Sequence, residues 1–165
     1  MIIHERAFTL VEVLIYIGII GAVIISFMSF TLFISHARTT AEVRQEVQSN
    51  ARTALDFMLE RIRGANQISE GASVFDAHPG VLALVQGGTN RVFSLDGNGT
   101  LVMAENGNAP ISLTSKKVKV SALIFTNLSQ QGTRGNIRIQ LIVENNFGKD
   151  ISYGYNLQSA ASLRQ

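Results

Sequence analysis

From Val13 to Ser35 the chain carries no formal charge and no proline. A helix that crosses a hydrocarbon core needs about 20 apolar residues. The apolar region of a secretory signal is usually only about 7–15 residues long. By length, the run predicts a spanning helix rather than a cleaved signal. Arg6 and the N-terminal amine precede it, which places the N-terminus on the cytoplasmic side by the positive-inside tendency. His36 and Arg38 follow it, and the C-terminal domain then lies outside the cytoplasm. Ser35-His36-Ala37 also fits a small-x-small signal-peptidase site, and cutting there would release a soluble chain starting at Arg38. The length of the run argues against that outcome.

One carboxylate, Glu12, stands at the head of this run. A charge at the centre of a membrane helix costs about 2.5–3.5 kcal/mol and less toward the interface, so near the start of the run the cost is moderate. Either Glu12 reaches back to the headgroups, or it is a charge held inside the membrane for a partner. Gly18 and Ala22 are four residues apart, with Gly21 beside them. Small residues at this spacing let membrane helices approach closely, although glycine is also simply common in such helices.

The helical pattern continues past Ser35. Val43, Val47, Ala51, Ala54, Leu55, Met58, Ile62 and Ala65 recur at steps of three and four, the mark of an amphipathic helix. Arg44, Gln45, Gln48, Ser49, Arg52, Glu60 and Arg63 occupy the other face. No proline interrupts Phe8 to Arg63, and Gly64 is a plausible stop. At about 1.5 Å per residue this is a rod of roughly 85 Å. Beyond it, Val81–Val85, Arg91–Leu95, Thr100–Ala104, Val118–Thr126, Asn136–Glu144 and Ile151–Leu157 read as strands, with turns at Asp96-Gly97-Asn98-Gly99 and Asn145-Asn146-Phe147-Gly148. Val118, Val120 and Ala122 alternate with Lys119 and Ser121, and Ile137, Ile139, Leu141 and Val143 alternate with Arg138, Gln140 and Ile142. Sheets of this kind have one wet face and one that needs a cover, which the helix stripe supplies. The expected fold is α+β, a long N-terminal helix on antiparallel sheet.

Other chemistry is sparse. A net charge of +2 gives no reason to expect a nucleic-acid partner, and the absence of cysteine excludes disulfides and thiol chemistry. His4, His36 and His78 lie far apart, without metal-ligand spacing on one element. Asp96-Gly97-Asn98-Gly99-Thr100 has a calcium-loop flavour, but Leu101 stands where an EF-hand needs glycine. No catalytic motif is present, so neither enzyme activity nor a metal or cofactor is expected.

Arg6-Ala7-Phe8-Thr9-Leu10-Val11-Glu12-Val13-Leu14, followed by the apolar run, resembles the N-terminus of type IV prepilins and type II secretion pseudopilins. Residue 7 is Ala where that family usually has Gly. The resemblance implies a leader of residues 1–7, cleavage between Ala7 and Phe8 by a prepilin peptidase, and N-methylation of Phe8. It implies a transmembrane and assembly helix over 8–35, its amphipathic continuation over 36–64, and a β-rich domain over 65–165. It further implies docking through Glu12, with the Phe8 amine of one subunit meeting Glu12 of the next. The implied partners are the peptidase, other pilin or pseudopilin subunits, an inner-membrane assembly platform and membrane lipid. The helix end from Ala51 to Arg63, with Val92–Leu95 and Ile111–Thr114, is similar to J-type minor pseudopilins. The competing expectations are a bitopic protein displaying a binding domain, with Glu12 incidental, and the soluble chain released after Ala37.

Overall fold

The computed structural model describes residues 9–129, 135–146 and 152–164. Helix α1 spans Leu10–Gly64 without a break and ends at the expected glycine, while the expected start at Phe8 lies outside the described residues. Among the described residues it is followed by β1 (Gln67–Ile68), β2 (Leu82–Gln86), β3 (Thr89–Leu95), β4 (Leu101–Glu105), β5 (Ile111–Ser112), β6 (Val118–Asn127), β7 (Asn136–Asn145) and β8 (Gly154–Ser162). A short 3-10 turn, Glu70–Ala72, follows β1. The class is α+β, with two antiparallel sheets ordered β1-β2-β3-β4-β5 and β6-β7-β8. By its internal contacts the chain divides into two compact units, Met1–Ala41 and Glu42–Gln165.

In the first unit every large apolar side chain from Leu10 to Phe33 is exposed. This stretch is apolar on all sides, unlike the one-sided stripe of a helix lying on a globular core. Three of its threonine hydroxyls donate within the helix. Thr31 Oγ1 donates to the Phe27 carbonyl at 2.9 Å, and Thr39 and Thr40 do the same to Ser35 and His36. The helix is long and apolar enough to cross a membrane, with a mean hydropathy of 2.5 over its best window.

The second unit is built on the amphipathic stripe. Val47, Ala51, Ala54, Leu55, Met58, Leu59 and Ile62 are buried along α1, and Val43 is half-buried at the end of the row. They form one core with inward residues of both sheets, including Phe93 and Leu101 from the first and Phe125 and Leu141 from the second. The flank of the stripe is tied to β8 and to the residue before it by polar contacts. Gln48 Nε2 donates to the Tyr153 hydroxyl at 2.8 Å, and Arg52 Nη2 to the Tyr155 hydroxyl at 3.3 Å. The connection between the sheets is pinned to the helix as well: Asn50 Oδ1 accepts from Ser115 N at 2.8 Å, and Glu46 Oε1 accepts from Ser115 Oγ at 3.2 Å.

The strands depart from expectation in instructive places. β7 buries Ile137, Ile139, Leu141 and Val143, as its alternation predicts. In β6 the register shifts between Val120 and Ala122, so a bulge reverses the alternation. Leu123 and Phe125 therefore point inward, and Ala122, expected in the buried row, is only half-buried. The last strand runs to Ser162 rather than stopping at Leu157. Its expected start at Ile151 and the Phe147-Gly148 part of the preceding turn lie outside the described residues. The β2–β3 hairpin turns through Gly87 and Gly88, at φ 56° and 81°. Both central positions of such a tight turn need positive φ, which glycine supplies at little steric cost. At Gly80 the reason is space: a Cβ there would come within 3.0 Å of the Leu123 carbonyl and of the Phe125 ring.

The Asp96 turn forms as expected, with Asp96 Oδ1 accepting from Thr100 N at 2.7 Å and from Asn98 N at 2.9 Å. These bonds, Thr100 foremost, favour the charged carboxylate and hold its pKa below the ordinary value against a weaker opposing effect of burial. A depressed folded-state pKa adds stability that is present above about pH 4 and is lost as pH falls through the folded value. Acid titration of folded-state stability should therefore show a smaller loss below about pH 4 in Asp96→Asn than in the parent. For the core, Met58→Ala in the full chain in detergent should lower the unfolding free energy by about 2–5 kcal/mol. Exposed Arg63→Ala should stay within about 0.5 kcal/mol, as denaturant titration would report.

Candidate assembly site in the apolar helix

Thr9 sits just before the first turn of α1 and caps it. Glu12 N donates to Thr9 Oγ1 at 3.3 Å and to the Thr9 carbonyl at 3.1 Å, and Val13 N donates to the same carbonyl at 3.3 Å. A hydroxyl at this position satisfies one of the backbone donors that every helix start leaves open. Thr9-x-x-Glu12 is also the spacing of a capping box, so Glu12 stands three residues after the cap, where the positive end of the helix dipole favours a carboxylate. Thr9 was not singled out in the sequence reading, although Thr-x-x-Glu before an apolar run is a signal for it.

Glu12 is half-buried, and its carboxylate has a partner on its own helix. The Tyr16 hydroxyl donates to Glu12 Oε1 at 3.4 Å from one turn further along. Spacing alone places such a pair on one face. Ala7 and Phe8, the expected cleavage pair and methylation site, lie outside the described residues, as does His4.

The small residues occupy a different side of the helix. At about 100° per residue, Tyr16 lies roughly 40° from Glu12, Ala22 roughly 80°, Gly18 roughly 120° and Gly21 roughly 180°. A Cβ built on Gly18 or Gly21 would meet nothing within 4 Å. Nothing in the chain's own packing calls for glycine at either position, and each costs about 1 kcal/mol against alanine in an ordinary helix. Glu12 and the glycines thus present two separate faces, one polar at its head and one of low relief.

Among the described residues, no group of three or more His, Cys, Asp or Glu side chains is placed to hold a metal ion. His78 is engaged structurally: its Nδ1 accepts from Leu123 N at 3.1 Å at the outer edge of β6.

The glycine face gives a direct test. If it touches only lipid, Gly18→Ala and Gly21→Ala should leave helix–helix association unchanged and raise helix stability by up to about 1 kcal/mol each. If it is a close-approach surface, the double variant should associate several-fold more weakly in a bilayer crosslinking or energy-transfer assay. We expect the second outcome. Comparison with known proteins yields no match: no family model fits the chain, and no curated protein or solved structure matches it significantly.

Proposed function

We propose that the chain is a prepilin-like subunit of a type IV pilus or type II secretion filament. In this reading it is anchored in the inner membrane with its N-terminus in the cytoplasm and its β-rich unit outside. It is cut by a prepilin peptidase between Ala7 and Phe8, methylated on the Phe8 amine, and assembled with other subunits through α1. The single observation that supports this best is one carboxylate in the first turn of a fully exposed, all-round apolar helix. Such a surface needs lipid or other apolar helices around it, and a carboxylate at its head needs a cation or water. A processed neighbour supplies both at once, an apolar helix and a free amine.

The bitopic alternative keeps a foothold in one observation. Thr9 and Tyr16 give Glu12 a role within its own helix, so its presence has a local explanation too. Two variants separate the readings. Glu12→Gln keeps an acceptor for the Tyr16 hydroxyl but removes the charge, whereas Glu12→Ala removes both. Removing one member of a buried ion pair costs about 3–5 kcal/mol, so both variants should insert normally yet enter filaments well over tenfold less. Filament entry by the Gln variant at the parental level would leave Glu12 with its contacts inside its own helix alone. The mature N-terminus decides the class: a peptide beginning at Phe8, read by mass, supports the subunit reading. One beginning at Met1 supports a plain membrane anchor, and one beginning at Arg38 supports a released domain.

A further inference from the structure

We propose that Tyr16 is a positioning residue for Glu12: its phenol holds the carboxylate while the subunit stands alone in the bilayer and yields it when a neighbour brings a cation. The inference rests on the subunit reading above and adds a second residue to the same site.

Three observations carry it. The Tyr16 hydroxyl bonds Glu12 Oε1 at 3.4 Å, and among the described residues it is the side chain that reaches this carboxylate. Helical side chains lean toward the N-terminus, so a phenol four residues after Glu12 points back toward it, out of the apolar layer and toward the headgroups. Tyr16 is the one tyrosine in the apolar segment, set between Ile15 and Ile17, while Tyr153 and Tyr155 both lie in the region of β8.

The bond length gives the device its direction. Hydroxyl–oxygen hydrogen bonds usually close to about 2.7–2.8 Å. At 3.4 Å the phenol is the carboxylate's one side-chain partner among the described residues and holds it loosely. An ammonium–carboxylate contact is shorter and roughly twice as strong as a neutral hydrogen bond. A cation presented by a neighbouring helix therefore turns the carboxylate toward that neighbour and away from the phenol on its own helix. The low-relief face of Gly18 and Gly21 lies well around the helix from Tyr16, so helices meeting there leave the phenol in place. Release is then specific to a neighbour that presents charge.

The test uses the full unprocessed chain with ¹³C-labelled Glu and Tyr, in phosphatidylethanolamine–phosphatidylglycerol bilayers without other filament components. The Glu12 carboxyl resonance is assigned by its loss in Glu12→Gln. A solid-state correlation between the Tyr16 ring carbon bearing the hydroxyl and the Glu12 carboxyl carbon is expected in the parent, with a shifted carboxyl resonance in Tyr16→Phe. Absence of the correlation, or an unshifted resonance in Tyr16→Phe, would overturn the holding role. These readouts need no assembly, so they stand or fall independently of the filament reading. In cells producing the subunit without its partners, Tyr16→Phe and Tyr16→Leu should both lower its steady-state level several-fold. Recovery by Phe but not Leu would mean that the ring packs and the hydroxyl does nothing. In isolated filaments the correlation should vanish, and its persistence there would overturn the release.

Discussion

Two sheets that share no hydrogen-bonded strand bury their inner faces under the same few turns of α1. The second sheet is one-faced, with Ile137, Ile139, Leu141 and Val143 of β7 pointing into the core, whereas β2 and β4 of the first each bury three consecutive residues. Both meet the row from Val47 to Ile62 in a single core. Polar contacts fix where that row sits. Gln48 and Arg52 meet the tyrosines at one side, and Asn50 and Glu46 grip the connection between the sheets. Burial supplies most of the stabilisation, while the directional bonds choose one arrangement over near alternatives.

The same helix meets the opposite situation over its apolar stretch. Between Leu10 and Phe33 there is no stripe, because large apolar side chains point in every direction. A soluble helix of this composition would hide inside a core, and this one is not hidden. Its surface asks for an environment that surrounds it. Lipid meets that demand without any specific residue. Lipid makes no demand for the carboxylate in the first turn, which the positive end of the helix favours, and the two mid-helix glycines relieve no crowding among the described residues.

Much of this was legible in the sequence because the periods are long and clean. The three-and-four spacing from Val43 to Ala65 and the strict alternation in β7 each leave one reading. Legibility failed where one residue changes the phase. The bulge in β6 makes Ala122 look like a core position when the inward residues are Leu123 and Phe125, and nothing local in Val120-Ser121-Ala122 announces it. β1 and β5 have two residues each, too few for any period, and exist through their pairing with β2 and β4. At the site, Glu12 was legible as a feature but not as a role. A carboxylate that caps its own helix and one that waits for a neighbour both need the first turn, so they look alike in sequence. Tyr16 was missed because an aromatic residue within an apolar run reads as bulk, and only its position one turn from Glu12 gives the hydroxyl a purpose.

Helix capping and the docking role proposed for Glu12 are compatible because they draw on different atoms. Capping is carried by its backbone N–H, which donates to Thr9, and the dipole acts on its charge as a whole. The carboxylate offers two oxygens with about four acceptor sites, of which the Tyr16 hydroxyl takes one. Most of that capacity stays unspent within the chain's described residues. In water this would be of no consequence. At the margin of an apolar layer, unspent acceptor capacity on a charged group is a standing cost, relieved only by headgroups, water or a donor from outside the chain. Local contacts therefore set where Glu12 sits and which way it faces, and in the subunit reading proposed above the remainder is met by a cation carried at the same depth on a neighbouring helix.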